Sequence, residues 1–206
     1  MQSVISQSQQ TILQPSHSVL KIGSIERFGG HDWRVLDVQS EKALLLRETI
    51  WDTRPYHRPG KAVNWENCTL RKELNDEFCS SILQADRSRI VKSPVTNAKN
   101  PWSGAGGGKD TYDYVFLLNI EEVVRYFGDS GQLNRIPKSE FWMNDQYNST
   151  RIAKKADGTA SWWWLRSPGN LSDDAANVRN VGTILIYGDS VISVAGGVRP
   201  ALWLNP

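Results

Sequence analysis

Apolar and polar residues alternate with a period of two at 22–28 and again at 32–38, with Gly29-Gly30 between them. That period places successive side chains on opposite faces, so the two runs predict strands joined by a tight turn. Residues 43–47 carry three consecutive leucines, which predicts a third strand buried on both faces. From Thr69 the period changes to that of a helix. Leu70, Leu74 and Phe78 form one apolar stripe, Arg71, Lys72, Glu73 and Asp76 face water, and Thr69 is the expected cap. Residues 114–118 predict a strand that runs into Asn119-Ile120-Glu121-Glu122, where Asn and a Glu three residues later have capping-box spacing. Val123, Val124, Tyr126 and Phe127 would be the buried side of this second helix, and Gly128 its end.

Beyond Gly131 the pattern breaks into short apolar runs. The Trp162-Trp163-Trp164 block and residues 177–181, 183–187 and 191–194 are strand candidates, with turns at Gly182 and Gly188. Residues 51–65 and the stretch from Ile90 to Gly108 are loop-like. The expected class is α+β, with two helices on small antiparallel sheets and long loops. Residues 21–206 would form one domain, and residues 1–20, rich in Ser and Gln, a flexible arm.

Hydrophobic residues make up 39% of the chain, with nine Trp, enough for a sizeable core. A net charge of +2 without a basic stripe argues against a nucleic-acid partner. The longest apolar runs, 43–46 and 115–118, are far too short to cross a bilayer. The first residues lack the basic and apolar regions of a secretory signal. Cys68 and Cys79 would lie about 16 Å apart along a helix, too far for a disulfide. No CxxC or paired His accompanies them, so no metal site is expected.

One stretch differs in character from everything around it. From Asn170 to Ala195 there is no Lys, Glu, Gln, Met or Trp, although those types form roughly a fifth of the chain. Short polar groups with a Tyr and an Arg are the vocabulary of a binding surface. Two motifs frame the stretch, Trp162-Trp163-Trp164-Leu165-Arg166-Ser167-Pro168-Gly169 before it and Gly196-Gly197-Val198-Arg199-Pro200-Ala201-Leu202-Trp203-Leu204 after it.

With FGGHDWRVLDV, TLRKELNDEF and DYVFLLNIEEVVRYFG nearer the start, these motifs resemble an uncharacterised bacterial and phage-associated family, from about Ile22 to the end. That family resembles a branch of the C-type lectin fold related to formylglycine-generating enzymes. In such a fold the terminal strands pair and long loops present a ligand surface. Within the chain, residues 170–195 resemble the variable region of proteins diversified by retroelements, in which randomised AAY codons never yield Lys, Glu, Gln, Met or Trp. The resemblance implies a scaffold of Ala175, Ala176, Val178, Gly182, Ile184, Gly188 and Val191. It implies ligand-binding, exchangeable positions at Asn170, Leu171, Ser172, Asp173, Asp174, Asn177, Arg179, Asn180, Val181, Leu185, Ile186, Tyr187, Asp189, Ser190, Ile192, Ser193, Val194 and Ala195. The ligand would be a protein or glycan on a cell or virus surface, bound without cofactor, metal, nucleic acid or membrane insertion, and the protein would act at that surface. A positions-for-exchange reading requires outward-facing side chains, because burying an unpaired charge costs several kcal/mol.

Other suggestive residues have plainer readings. On a strand, Trp162 and Trp164 share a face and Trp163 takes the other, which suits a scaffold better than a sugar platform. Arg166 and Arg199 are expected to bond loop carbonyls or a carboxylate. His17, His31 and His57 are scattered and carry no nucleophile signature. The Gly104-to-Lys109 run misses phosphate-loop spacing and reads as a mobile loop. Trp142-Met143-Asn144-Asp145 is similar to the Trp-Asn-Asp of calcium-binding lectins with Met inserted; Asp173, Asp174 and Asp189 would be the other oxygens. Formylglycine-generating chemistry needs a late Cys pair, and no Cys follows Cys79, so an enzyme is not expected. The competing reading is a carbohydrate-binding module or adhesin of fixed specificity on the same fold.

Overall fold

The structure is a computed structural model that describes residues 20–137 and 139–205. Residues 1–19 of the expected arm at 1–20, His17 among them, lie outside the described residues. In chain order the elements begin with β1 (Ile25–Phe28), β2 (His31–Val38), β3 (Ala43–Arg47), β4 (Asp52–Thr53), helix α1 (69–81) and the single turn α2 (Gln84–Arg87). There follow β5 (Ile90–Val91), β6 (Ser93–Val95), β7 (Thr111–Asp113), helix α3 (Ile120–Phe127), β8 (Trp142–Met143) and the turn α4 (Asn148–Arg151). The last third holds β9 (Ala153–Lys154), β10 (Ala160–Ser161), β11 (Trp163–Pro168), β12 (Asp174–Val178), β13 (Ile184–Ser190), β14 (Gly197–Val198) and β15 (Ala201–Leu204). The class is α+β, with few helices and mostly small antiparallel sheets.

One sheet has the order β1-β2-β3-β15-β5 and is antiparallel throughout. The other has the order β4-β14-β11-β12-β13-β8, with a single parallel contact between β11 and β14. The pairs β6–β7 and β9–β10 complete the set. The leucine run of β3 is buried as its composition predicts, and the strand is central in its sheet, between β2 and β15. The final strand lies in the same sheet as the first three, although its partners are β3 and β5 and not β1.

The C-terminal motif belongs to both sheets. Gly197-Val198 is β14 of one and Ala201–Leu204 is β15 of the other, and Arg199 sits at the crossing. Its guanidinium donates from Nε to Arg47 O at 2.9 Å and from Nη2 to Glu48 O at 3.4 Å. It also lies 5.2 Å from the Trp163 ring centroid and 5.7 Å from that of Phe127. Burial pulls its pKa down to about 10, so the group stays charged at neutral pH.

Leu70, Leu74 and Phe78 are fully buried, as the helical stripe in the sequence requires. The cap differs from expectation. Cys68, one residue earlier than Thr69, accepts the Arg71 N–H on its sulfur at 3.3 Å. Thr69 Oγ1 instead accepts the Arg58 N–H. Both cysteines are free and buried, and burial pushes the Cys68 thiol up to about 12. The middle of α1, Leu74–Phe78, widens to a π turn, from which Asn75 reaches across to residues 114–115. Its Nδ2 donates to Val115 O, and its Oδ1 accepts the N–H groups of Tyr114 and Val115.

That clamp explains why the strand expected at 114–118 is absent. Val115 to Leu118 are buried, yet Tyr114 and Val115 bend and only Phe116 forms a bridge, to Ala201. Side chains of Asn75 and Arg166 take four of the segment's backbone groups that a neighbouring strand would otherwise pair. Arg166 Nη1 donates to Leu117 O at 2.7 Å, and Arg166 N–H to Leu118 O at 2.9 Å.

The second predicted helix is present with both halves of its capping box. Asn119 Oδ1 accepts Glu122 N–H at 2.7 Å, and Glu122 Oε2 accepts Asn119 N–H at 2.9 Å. The same Glu122 carboxylate takes a two-pronged grip from Arg166, with Nη2 to Oε1 at 2.8 Å and Nη1 to Oε2. Arg166 has a side chain only 2% exposed. Removing the Glu122 side chain would therefore leave a buried cation without its carboxylate and open one half of the capping box. Glu122→Ala should lower stability by about 3 kcal/mol or more in urea unfolding, with Glu122→Gln intermediate.

Candidate functional site

The pairing of β11, β12, β13 and β8 sorts the side chains of the last third into two layers. Trp163, Val178, Ile184 and Met143 stand opposite one another in register and are all fully buried. The adjacent row, Trp164, Asn177, Leu185 and Trp142, points to the other face. Trp162 shares that face and meets Trp164 edge-on at 4.7 Å. Trp164 is itself covered, with Nε1–H donating to Arg54 O at 2.9 Å. Gly196 packs directly on this indole, where any Cβ would overlap Nε1. Both faces of the tryptophan block are thus scaffold.

Strand limits differ from the sequence reading. β12 begins at Asp174 and ends at Val178, and β13 runs on to Ser190. Gly182 lies in the turn between them, as expected. Gly188 is not in a turn. It sits within β13 at φ +83, beside a register shift in the β12–β13 pairing, and a Cβ there would meet Ala175 O. Residues 191–194 form turns, not a strand. Val191 is tied down by an N–H to Asp173 O and by a carbonyl that accepts His57 N–H, both at 2.9 Å.

The candidate residues fall into three groups. Asn170, Leu171, Ser172, Asn180, Val181, Ser190, Ile192, Val194 and Ala195 are exposed, Leu171 and Ile192 at 58% and 51%. Asp173, Asp174, Arg179, Leu185, Tyr187, Asp189 and Ser193 are half-buried. Asn177 and Ile186 are fully buried, against expectation. Ile186 projects to the core side and its carbonyl accepts Asn100 Nδ2–H at 2.7 Å. Asn177 lies on the outer face but is overlaid, and its Nδ2 donates to Asp189 Oδ2 at 3.2 Å. Period two from Ile184 puts Ile186 on the core face, so it is the retroelement resemblance, and not the strand pattern, that places it outward. Between the candidates, Ala175, Ala176, Val178, Ile184 and Val191 are all fully buried.

Two open clefts indent this surface. One, of about 450 Å3, runs between Asn170, Leu171, Ser172 and a wall of Ala62, Val63, Asn64, Asn67, Ala105 and Gly106. The other, of about 440 Å3, is lined by Arg179, Asn180, Val181, Thr183, Leu185 and Asp189, with Trp142. Trp142 also lines a neighbouring hollow with Trp102, Ile136 and Pro137, so it stands as a ridge between two depressions. Tyr187 does not project freely. Its ring lies 5.3 Å from Phe141 and 6.5 Å from Trp102. Trp142, Phe141 and Thr183 are the surface residues that the sequence reading left out. The only signal at Trp142 was its place in the calcium-like tetrapeptide.

That tetrapeptide serves structure. Asp145 is paired with Arg151 at 2.9 and 3.0 Å and also accepts Ser130 Oγ–H and Tyr147 N–H. Asp189 Oδ2 is taken by Arg179 at 2.6 Å. Among the described residues no three His, Cys, Asp or Glu side chains gather as metal ligands would. Burial, with the neighbouring charges of Asp173 and Asp189, raises the pKa of Asp174. His57 Nδ1 accepts the Thr69 N–H, and burial lowers its pKa, as it does for His31. The glycine run expected as a mobile loop is anchored by Asn100 N–H to Ala105 O and by Lys109 N–H to Glu66 Oε2. Arg166 and Arg199 hold carbonyls and carboxylates, the structural role expected of them.

Two predictions follow from these ion pairs. Burial alone would raise the Asp145 carboxyl, but the Arg151 guanidinium and the hydrogen bonds from Ser130 and Tyr147 hold it below the ordinary 3.8. Its contribution is therefore complete above the usual aspartate range and is lost as pH falls through the lowered folded-state value. Acid unfolding of Asp145→Asn should show a weaker pH dependence below pH ~4 than the parent, from a lower starting stability. The Arg179–Asp189 pair is the opposite case, with side chains 42% and 38% exposed. Arg179→Ala should change thermal stability by less than about 1 kcal/mol.

A family described as "Domain of unknown function (DUF6273)" matches residues 40–206, and the chain belongs to that family. The match begins at the turn between β2 and β3 and takes in every later element. The chain matches no curated protein and no solved structure.

Proposed function

We propose that this member of the DUF6273 family is a non-enzymatic ligand-binding protein with a C-type-lectin-like fold, whose face at residues 170–195 is diversified by a retroelement. The observation that carries this reading is the split between neighbours along β12, β13 and their loops. Ala175, Ala176, Val178, Ile184 and Val191 are buried. The residues between them reach solvent, with the exceptions of Asn177 and Ile186. A surface built this way accepts Leu, Asp or Arg at the outward positions without touching the core. The return of the last strand to the sheet of the first three, and the long loops between elements, are compatible with the proposed fold.

Recognition would be non-covalent and directed at a molecule on a cell or virion surface. Leu171, Val181 and Ile192 offer exposed apolar area, and Arg179, Asp189, Asn170 and Asn180 offer polar contacts. On this reading Asn177 and Ile186 are frame, and exchange there is costly.

Two measurements test the proposal. A gene carrying Leu171→Asp, Asp173→Asn, Arg179→Ser and Ile192→Asn together should yield a folded protein whose Tm stays within a few degrees of the parent. Ile186→Asp alone should lower stability by more than about 3 kcal/mol. The neighbouring DNA should hold a near-repeat of the 170–195 coding stretch with adenines at the outward-facing codons. Identical residues at all these positions across related genomes, with no such repeat, would overturn the retroelement reading.

A further inference from the structure

The cleft beside β8 is built from two sources. Arg179 and Asp189 come from the face at 170–195, whereas Trp142 comes from a strand outside it. Trp142 is fixed in place by backbone pairing with Leu185, and the residue is 48% exposed with no partner for its indole N–H among the described residues. Across the cleft, Asp189 spends one oxygen on both of its bonds. Oδ2 accepts Arg179 Nη1–H at 2.6 Å and Asn177 Nδ2–H at 3.2 Å. Oδ1 has no partner among the described residues, nor do Nε and Nη2 of Arg179, the Asn180 amide or the Thr183 hydroxyl.

These groups constrain the ligand. The charges of Arg179 and Asp189 cancel, so the cleft favours neither an anion nor a cation. Donors and acceptors stand side by side in pairs, which suits a molecule whose hydroxyls each give and accept a hydrogen bond. An exposed indole offers a flat apolar face for a C–H surface. A volume of about 440 Å3 falls within the range of small-ligand clefts. With one Asp oxygen engaged by a guanidinium and no further acid or His gathered at the cleft, a bridging cation has no ligand set.

We infer that this cleft is a cation-independent subsite for a neutral saccharide, with Trp142 as its stacking platform. A pyranose ring lays its C–H face on the Trp142 indole. Two vicinal hydroxyls meet Asp189 Oδ1 and the free N–H groups of Arg179, while Thr183 or Asn180 takes a third. The inference rests on residues 170–195 being a binding face and adds a ligand class and an anchor outside the exchangeable residues. Substitution within the face would then change which sugar is preferred while the platform persists.

The test titrates the full chain with glucose, galactose, mannose, N-acetylglucosamine and their β-linked dimers, in the presence of EDTA. The readout is the Trp142 indole N–H resonance in 15N-labelled protein, identified by its loss in Trp142→Ala. Saturable shifts with at least one neutral sugar are expected. Trp142→Ala and Arg179→Ala should weaken binding, read from neighbouring backbone resonances, by about tenfold or more, and Trp142→Phe should recover most of it. Leu83→Ala, exposed just before α2 and outside the cleft lining, should bind as the parent does. No shift with any of these sugars, binding that EDTA abolishes, or binding indifferent to Trp142→Ala would overturn the subsite. The absence of a template repeat in the DNA would leave these outcomes unchanged, so the two proposals fail separately.

Discussion

The architecture hangs on one buried guanidinium. Arg166, in the middle of β11, grips both oxygens of Glu122, and Glu122 in turn closes the capping box of α3. The same guanidinium donates to the carbonyls of Leu117 and Thr96, and the Arg166 carbonyl accepts the Tyr56 hydroxyl. Neighbouring Ser167 accepts the Ile120 N–H. A strand, a helix N-terminus, the irregular 114–118 run and two loops therefore meet at a single dipeptide. A buried charge of this kind is costly unless it is paired, and both Nη groups of Arg166 are paired, which favours this arrangement of the segments over others.

Arg199 plays the complementary part at the crossing between sheets. The chain passes from β14 to β15 through it, and its bonds to Arg47 and Glu48 with the rings of Trp163 and Phe127 weld the two layers. With the frame held from the inside by two arginines and three tryptophans, the outer face of β12 and β13 carries little structural duty. Its ion pair is half exposed, and the loops at its ends carry Leu171, Val181 and Ile192 in solvent. Separation of a rigid frame from an unburdened face is the physical condition for a surface that recognises something. The same separation is what a diversified surface requires.

Much of the fold was legible in the residues themselves. The leucine run of β3, the stripe of α1 and the Asn119–Glu122 box appear where local period and cap chemistry place them, because each depends on neighbours within a few positions. The strand expected at 114–118 failed for a nonlocal reason: Asn75 and Arg166 satisfy its backbone from far away in the chain. Cys68 displaced Thr69 as a cap because Thr69 is drawn to the Arg58 N–H. Gly188 signals a turn in sequence and makes a bulge in space, since a left-handed glycine serves either purpose. At the candidate site, the odd composition of 170–195 was legible, whereas the burial of Asn177 and Ile186 and the presence of Trp142 were not.

The amino-acid sequence alone determined the α+β class, the two main helices, the tryptophan block as scaffold and the odd composition of 170–195. These follow from side-chain period and residue type, which act over one or two turns of chain. Only the tertiary structure decided which of those residues face water, that the last strand lies between β3 and β5, and that Trp142 lines the same cleft as Arg179 and Asp189. Those facts depend on strand register and on contacts between residues tens of positions apart, where a shift of one residue turns every side chain to the opposite face.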